Sequence, residues 1–244
     1  MTSIKSVIQF LLTLVIAAAL VSCGGSANKS TGDTTKMADT AKKTDTTKKA
    51  MRPALAAPFD VVVVTHDVKD YSKWRPIFDA DSANRKAAGM ENVAVNRGID
   101  NPNRIMIVLK ISDMAKAKAF AADPKLKETM DKAGVTSKPE MAYFHVIRFN
   151  PQPKGSQLAV INHKVKDFDA WLKVFDGEDK ANRAKEGFIE VALDRGIDDP
   201  NMVRVVFGVT DTAKAKAAIA SKKPVMEKAG VIGKPSIEYY IRGE

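Results

Sequence analysis

The chain has 244 residues, of which 45% are hydrophobic, so packed cores are expected and a fully disordered chain is excluded. The formal net charge is +10, but about half of it lies before residue 57, and acidic and basic residues are interleaved in the remainder. No basic stripe with interleaved aromatic residues is present, and the single cysteine excludes an internal disulfide or a multi-cysteine zinc site, so nucleic-acid binding and zinc-finger functions are not expected.

The N-terminus has the pattern of an export signal. A short basic start at Met1–Lys5 precedes the apolar run Val7–Val21, which is shorter than the roughly 20 residues of a transmembrane helix. The run ends in Leu20-Val21-Ser22-Cys23, which resembles the lipobox of bacterial lipoproteins. The resemblance implies cleavage of a signal peptide at 1–22 and transfer of diacylglycerol to the Cys23 sulfur, which is the nucleophile of that step.

The lipobox resemblance also implies a location. Several acyl chains on Cys23 would hold the protein to a membrane, because each buried methylene contributes about 0.8 kcal/mol. Gly24, rather than Asp, follows the cysteine, a pattern that resembles sorting to the outer membrane of Gram-negative bacteria. We therefore expect an exported envelope lipoprotein on the periplasmic face of that membrane.

Residues 23–56 are predicted to be the lipidated cysteine followed by a flexible linker. Ser, Thr, Lys, Asp, Ala and Gly dominate the segment, and aromatic residues are absent. Such a composition cannot bury enough apolar surface to offset the entropy of ordering.

The rest of the chain contains one motif twice, which predicts repeats at 57–150 and 156–244. His66–Tyr71 returns as His163–Phe168, and the only two tryptophans occupy equivalent positions in the two copies. Arg97–Asn103 returns as Arg195–Asn201. A period this long indicates duplication of a whole structural unit.

In the first repeat the predicted order is strand, helix, strand, strand, helix, strand. Val61–Val64 and Ile105–Ile111 are almost wholly apolar and are predicted to be buried strands. Asp70 is a predicted N-cap for a helix whose apolar stripe is Tyr71, Trp74 and Phe78. The remaining elements are an edge strand at 93–97, a second helix capped by Ser112, restarted by Asp123-Pro124 and stopped by Gly134, and a strand at Met141–Ile147.

This order predicts an α+β fold with ferredoxin-like βαββαβ repeats. In that fold the first and third strands are central, and these are the two predicted strands that are apolar on both faces. Helices cover one face of each sheet, and the other repeat is the expected cover for the second face. We therefore expect two sheets to close into one dimeric α/β barrel within a single chain, which would leave the body monomeric as an internal pseudo-dimer.

The repeat resembles the antibiotic-biosynthesis-monooxygenase-like branch of the dimeric α/β barrel superfamily. The resemblance rests on three features: His-x-Val-x-Asp-aromatic-x-x-Trp-x-x-x-Phe, the Arg85 and Arg183 regions before Gly89 and Gly187, and the Arg-Gly-Ile-Asp-x-Pro-Asn hairpin. It implies the barrel fold and a site between sheet and helices in each half. It leaves the activity open, since the superfamily includes cofactor-free oxygenases, haem-degrading enzymes, isomerases and proteins without known activity.

The candidate site residues follow from that location. His66 and His163 are candidate catalytic residues, either as general bases or as haem ligands, although no cofactor is the first expectation. The candidate ligand-binding residues are Trp74, Phe78, Arg85, Arg97, Asn162, Trp171, Phe175, Arg183 and Arg195. An aromatic wall, an imidazole and a guanidinium would suit a planar, partly apolar anion.

Structural roles compete with these functional ones. Tryptophan and phenylalanine at helical spacing are more often core residues than a binding site. A histidine at the end of a strand is expected to hydrogen-bond a turn, and Arg97 and Arg195 are expected to pair with Asp100 and Asp198 of their own hairpins. Haem degradation would require an Asn, a His and a Trp in one pocket; Asn162 meets this pattern in the second repeat, but Thr65 replaces it in the first.

Three functions remain open. The first is a membrane-anchored protein that binds a small apolar or aromatic ligand, without a cofactor or a metal. The second is a cofactor-free monooxygenase-like enzyme acting on a phenolic or quinone-like substrate, and the third is a structural or interaction lipoprotein. The sequence contains no Gly-rich phosphate loop, nucleophile elbow or His-x-x-x-His pattern, so hydrolase, kinase and dinucleotide-enzyme functions lack support.

Overall fold

Eight antiparallel strands form a closed barrel with helices outside it. This computed structural model describes residues 58–151, 155–177 and 180–243. Cys23, the predicted signal peptide and the predicted linker lie outside the described residues. Within the described ranges, no helix combines the length and the apolar character that crossing a bilayer requires.

The two halves of the barrel have the same order of elements. In the first half these are β1 (Phe59–Asp67), α1 (Tyr71–Ala80), α2 (Ser82–Ala87), β2 (Met90–Gly98), β3 (Arg104–Ile111), α3 (Met114–Ala121), α4 (Pro124–Lys132) and β4 (Glu140–Phe149). In the second half they are β5 (Gln157–Val165), α5 (Phe168–Gly177), α6 (Lys180–Lys185), β6 (Ile189–Gly196), β7 (Met202–Val209), α7 (Thr212–Ser221), α8 (Lys223–Lys228) and β8 (Val231–Ile241).

The first and third strands are central in each half. β1 lies between β3 and β4, and β5 lies between β7 and β8. The halves join where β2 pairs with β8 and β4 pairs with β6, which closes the barrel. The predicted ferredoxin-like α+β order is therefore confirmed, and two four-stranded sheets close on each other within one chain.

Side chains along the central strands alternate between two hydrophobic cores, one inside the barrel and one under the helices. Val61 and Val63 face the barrel interior, where they pack with residues from both halves such as Tyr240. Val62 and Val64 face the helices and pack in the cluster that contains Trp74. A β-strand presents successive side chains to opposite faces. The central strands are therefore apolar at successive positions because both of their faces are buried, each in a different core.

The capping residues in the sequence predicted most of the helix ends correctly. The Asp70 carboxylate accepts a hydrogen bond from the Ser72 amide at 2.8 Å, and α4 starts at Pro124 after the N-cap Asp123. The prediction for α3 is wrong by one residue. Asp113 is its N-cap, because its carboxylate reaches the Lys116 amide at 3.0 Å, whereas the Ser112 hydroxyl donates to the Gly89 carbonyl.

The first predicted helix is interrupted. One helix was predicted from the apolar stripe of Tyr71, Trp74 and Phe78, but α1 ends at Ala80 and a second helix, α2, starts at Ser82. Asp81 is the residue between them, and its amide donates to the Ile77 carbonyl. The break changes the direction of the chain and lets Arg85 return toward the residues of α1.

Candidate functional site

Each half contains a cavity between its sheet and its helices. Pocket 1, in the first half, encloses about 660 Å³ of empty space including its open mouth, and pocket 2, in the second half, about 710 Å³. Both linings are mostly apolar. The sequence-predicted residues that line them are His66, Trp74, Phe78 and Arg85 in pocket 1 and His163, Trp171, Phe175 and Arg183 in pocket 2.

The aromatic wall of pocket 1 comes from the spacing of α1. Trp74 and Phe78 are one helical turn apart, so their rings stack with centroids 4.8 Å apart and planes 19° apart. His66 lies on the helix-facing side of β1, with its ring centroid 5.7 Å from that of Trp74. Pocket 2 repeats the arrangement: Trp171 stacks on its own phenylalanine at 4.8 Å, and His163 lies 5.3 Å from Trp171.

Both pocket histidines are neutral at pH 7. His66 is 1% exposed and His163 is 7% exposed, and no ring nitrogen of either has a hydrogen-bond partner among the described residues. Burial lowers the pKa of each imidazole to about 4, and the nearby positive charge of Arg104 contributes further at His66. Two neutral imidazoles therefore lie at the walls of apolar cavities.

The expected hydrogen bond from each histidine to a turn is wrong. Val62, Val64 and His66 share one face of β1 and all line pocket 1. That face opposes the helix layer, where the nearest ring is an indole.

One arginine in each pocket is fixed by its own helix pair. The Arg85 Nη1 donates to the Phe78 carbonyl at 2.7 Å, its guanidinium carbon lies 3.7 Å from the centroid of that ring, and Asp81 is 3.5 Å away. Arg183 repeats two of these contacts with Phe175, at 2.8 and 3.8 Å. Burial lowers the pKa of Arg85, but an arginine remains protonated at neutral pH. Each pocket therefore contains a fixed cation.

Arg97 and Arg195, which were predicted to bind ligand, do not line pocket 1 or pocket 2. Arg97 lies 4.2 Å over the Tyr71 ring, and its Nε donates to the Pro102 carbonyl at 3.1 Å. Arg195 makes the same two contacts with the equivalent residues, at 4.3 and 2.8 Å. Each arginine joins a hairpin to the start of a helix.

The ion pairs predicted inside the hairpins are also wrong. Asp100 pairs with Lys216 of α7 at 3.2 Å, and Asp198 pairs with Lys118 of α3 at 2.9 Å. Each aspartate therefore contacts a helix of the other half. Barrel closure carries each hairpin across to the opposite half, a proximity that spacing along the chain does not reveal.

Asn162, which was predicted to bind ligand, does not line pocket 2. It lies between Ile161 and His163, which line pocket 2, and strand alternation places it on the other face of β5 with Val160, a residue of the barrel core. Asn162, His163 and Trp171 therefore do not converge in one pocket. The residues present do not fit the haem-degrading arrangement considered from the sequence.

Sequence reasoning missed part of both linings. Met130 and Ala133 line pocket 1, and their counterparts Met226 and Ala229 line pocket 2. The repeated Met-x-Lys-Ala-Gly-Val segment was the available signal. Within the described ranges, no group of three or more His, Cys, Asp or Glu residues is close enough to hold a metal ion.

Comparisons with known proteins agree on the fold. No family model and no curated protein sequence matches the chain. An anthrone oxidase-like protein superposes with a TM-score of 0.53 at 13% identity, over 77% of this chain and 92% of that one. A monooxygenase-like protein from Listeria innocua gives 0.44 at 10% identity, over 77% of this chain and 95% of that one.

A further similar structure is a ferredoxin-fold protein related to antibiotic biosynthesis monooxygenases, from Listeria monocytogenes. It superposes with a TM-score of 0.44 at 11% identity, over 77% of this chain and 96% of that one. At 13% identity, the similarity to the anthrone oxidase-like structure establishes the fold alone. The described body of this protein therefore has a ferredoxin-like α/β barrel fold.

Proposed function

We propose that the protein binds a small, mostly apolar or aromatic molecule in pockets 1 and 2. The observation that carries this proposal is that each cavity places a stacked Trp–Phe pair beside an imidazole without a hydrogen-bond partner among the described residues. A buried polar group left unsatisfied costs about 1–3 kcal/mol. A ligand hydroxyl or N–H that donates to the imidazole would recover this cost, while the rings would contact its apolar part.

Native mass spectrometry of the full-length protein released from its own membranes tests the proposal. We expect a bound small molecule that is lost in variants with filled pockets. Ala133 and Ala229 occupy equivalent positions at the two linings, so Ala133→Leu and Ala229→Leu form a matched pair that fills one pocket each. Ligand-free protein under several growth conditions, together with no binding of aromatic probes in vitro, would refute ligand binding.

A cofactor-free oxygenase is the second candidate, supported by the neutral imidazoles and by the anthrone oxidase-like protein of similar fold. In such a reaction the imidazole would take a proton from a phenolic substrate. O₂ would then oxidise an activated CH₂ to a carbonyl, with one oxygen atom retained and the other released as water. An imidazole whose pKa is about 4 is a weak base for a phenol whose pKa is about 10, a mismatch of roughly 8 kcal/mol. We therefore favour binding over catalysis.

Oxygen consumption with anthrone as the probe separates the two candidates. An oxygenase would consume O₂ in step with anthraquinone formation, and a His66→Phe/His163→Phe double variant would abolish this while retaining its circular dichroism. A binding protein would bind anthrone without turnover above the rate without protein.

We also propose that acylated Cys23 holds the protein at the cell envelope. The support is the apolar run that ends directly at the cysteine. Labelling cells with radioactive palmitate should mark the native protein and leave a Cys23→Ser variant unlabelled and absent from the membrane fraction. Equal labelling of both proteins would exclude this anchor.

A further inference from the structure

The two pockets differ at their rims. In pocket 2 the Lys222 Nζ lies 3.0 Å from the Glu186 Oε1, and both residues belong to the lining. Lys222 precedes α8 and Glu186 follows α6, so this rim ion pair joins the ends of two different helices. Pocket 1 has the Arg85–Asp81 ion pair in its lining, but among the described residues that line it there is neither a lysine nor a glutamate.

We propose that pocket 2 selects ligands that carry an anionic group, that Lys222 determines this preference, and that pocket 1 prefers neutral ligands. The inference rests on the proposed function. The Lys222 and Glu186 side chains are 24% and 37% exposed, and ion pairs at such partly hydrated positions contribute little to stability. A ligand carboxylate can therefore replace Glu186 as the partner of Lys222 at small cost.

The apolar part of pocket 2 favours a flat aromatic group. Phe188 and Phe207 line it, with ring centroids 5.4 Å apart, and Phe207 lies 6.4 Å from Phe175 of the stacked wall. Pocket 1 has Met90 and Leu109 at the equivalent positions, and Phe120 and Tyr143 contribute to its aromatic lining instead. Pocket 2 combines its aromatic lining with a lysine at the rim, which matches an aromatic carboxylate.

The Lys222 ammonium argues against a positively charged ligand. It lies 3.0 Å from the Glu186 carboxylate, so a ligand ammonium group that approached Glu186 would be repelled by Lys222 at close range. A ligand carboxylate at the same place would be attracted to Lys222 instead.

Three probes that share one ring system test the charge preference: 2-naphthoate, neutral 2-naphthamide and 2-naphthylmethylammonium. Isothermal titration of the full-length protein at pH 7.5 would use Ala133→Leu to isolate pocket 2 and Ala229→Leu to isolate pocket 1. With pocket 2 isolated, we expect naphthoate to bind about tenfold more tightly than the amide, and the ammonium probe to bind weakest. With pocket 1 isolated, the amide should bind at least as tightly as naphthoate.

Rim substitutions made in the Ala133→Leu background identify the residue responsible. Lys222→Met should remove the preference for naphthoate, Lys222→Arg should retain it, and Glu186→Gln should strengthen it because the competing carboxylate is gone. Thermal unfolding of each variant checks that the fold is intact, and Glu186→Gln tests the idea independently if Lys222→Met is unstable.

The outcomes separate this inference from the proposed function. Equal affinity for the three probes, a preference for the ammonium probe, or a naphthoate preference that survives Lys222→Met would overturn the role of Lys222 and leave ligand binding intact. Failure of every probe to bind either isolated pocket or the unmodified protein would overturn both.

Discussion

Replacing Arg204 by methionine should destabilise the barrel strongly. The Arg204 guanidinium donates to the Asp194 carboxylate, and the two residues are 3% and 0% exposed. They are cross-strand partners on β7 and β6. The equivalent cross-strand partners in the first half are Asn96 and Met106, so the chain itself contains an uncharged version of the same pair.

The expected loss comes from the carboxylate that remains. Removing one partner of a buried ion pair costs about 3–5 kcal/mol, because the other charge is left without compensation. For a protein of this size, that loss corresponds to a decrease in Tm of about 6 to 20 °C. Replacing both members, as Asp194→Asn with Arg204→Met, recreates the first-half pair and should restore stability to within about 1 kcal/mol of the native protein.

The loss of stability in the Arg204→Met variant should depend on pH. Burial already raises the pKa of Asp194, and removal of the guanidinium raises it further. A carboxyl whose pKa is higher in the folded than in the unfolded state binds a proton preferentially when folded. The penalty in this variant should therefore shrink as the pH falls from 7.5 toward 5.

Urea unfolding followed by circular dichroism measures these free energies at both pH values. The single variant, the double variant and the native protein form a cycle with Asp194→Asn. A loss below about 1 kcal/mol for Arg204→Met at pH 7.5, or a double variant as unstable as the single one, would refute the argument from an uncompensated charge.

Three further predictions concern the pockets and the crossing hairpins. His66→Leu and His163→Leu should each raise the free energy of unfolding of the ligand-free protein by about 1 kcal/mol at pH 7.5, because buried nitrogens without partners are removed; a loss of stability would contradict this. Both imidazoles have a folded pKa of about 4, below the unfolded value of 6.5. The free energy of unfolding of the native protein should therefore fall by roughly 3 kcal/mol per histidine between pH 6.5 and pH 4. In the double variant, the free energy measured by urea unfolding should depend less on pH over that interval. Gly98→Ala should lower the free energy of unfolding by about 1–3 kcal/mol, since the new Cβ would lie 2.5 Å from a carbonyl oxygen of the adjoining turn. Lys118→Met breaks the exposed ion pair with Asp198 and should leave the urea midpoint unchanged.

The elements of the fold were predictable because their signals are local. The runs at Val61–Val64 and Ile105–Ile111 indicated strands buried on both faces, and the order of the elements identified the two central positions. The break at Asp81 was missed, because the spacing of Tyr71, Trp74 and Phe78 does not indicate where their helix ends. Asp113 was missed as a cap because Ser112 and Asp113 are adjacent and both are good capping residues.

The sequence predicted the parts of the candidate site that depend on residues close together in the chain, and it missed the parts that depend on residues far apart in the chain. Trp74 and Phe78 are one helical turn apart, so a shared wall followed directly from the spacing. Asn162 was assigned to the pocket by its nearness to His163 in sequence, although adjacent residues of a strand face opposite ways. The rim ion pair between Glu186 and Lys222 joins residues far apart in the chain, and no sequence pattern indicated it.

The amino-acid sequence by itself determined the strands, most helix ends, the internal similarity of the two halves and the residues that form the aromatic walls, because propensity, capping and periodicity act within a few residues. The tertiary structure alone decided that His66 and His163 lack hydrogen-bond partners among the described residues, that each hairpin pairs with the opposite half, and that the two pockets have different rims. Each of these depends on barrel closure, which brings together groups that are distant along the chain.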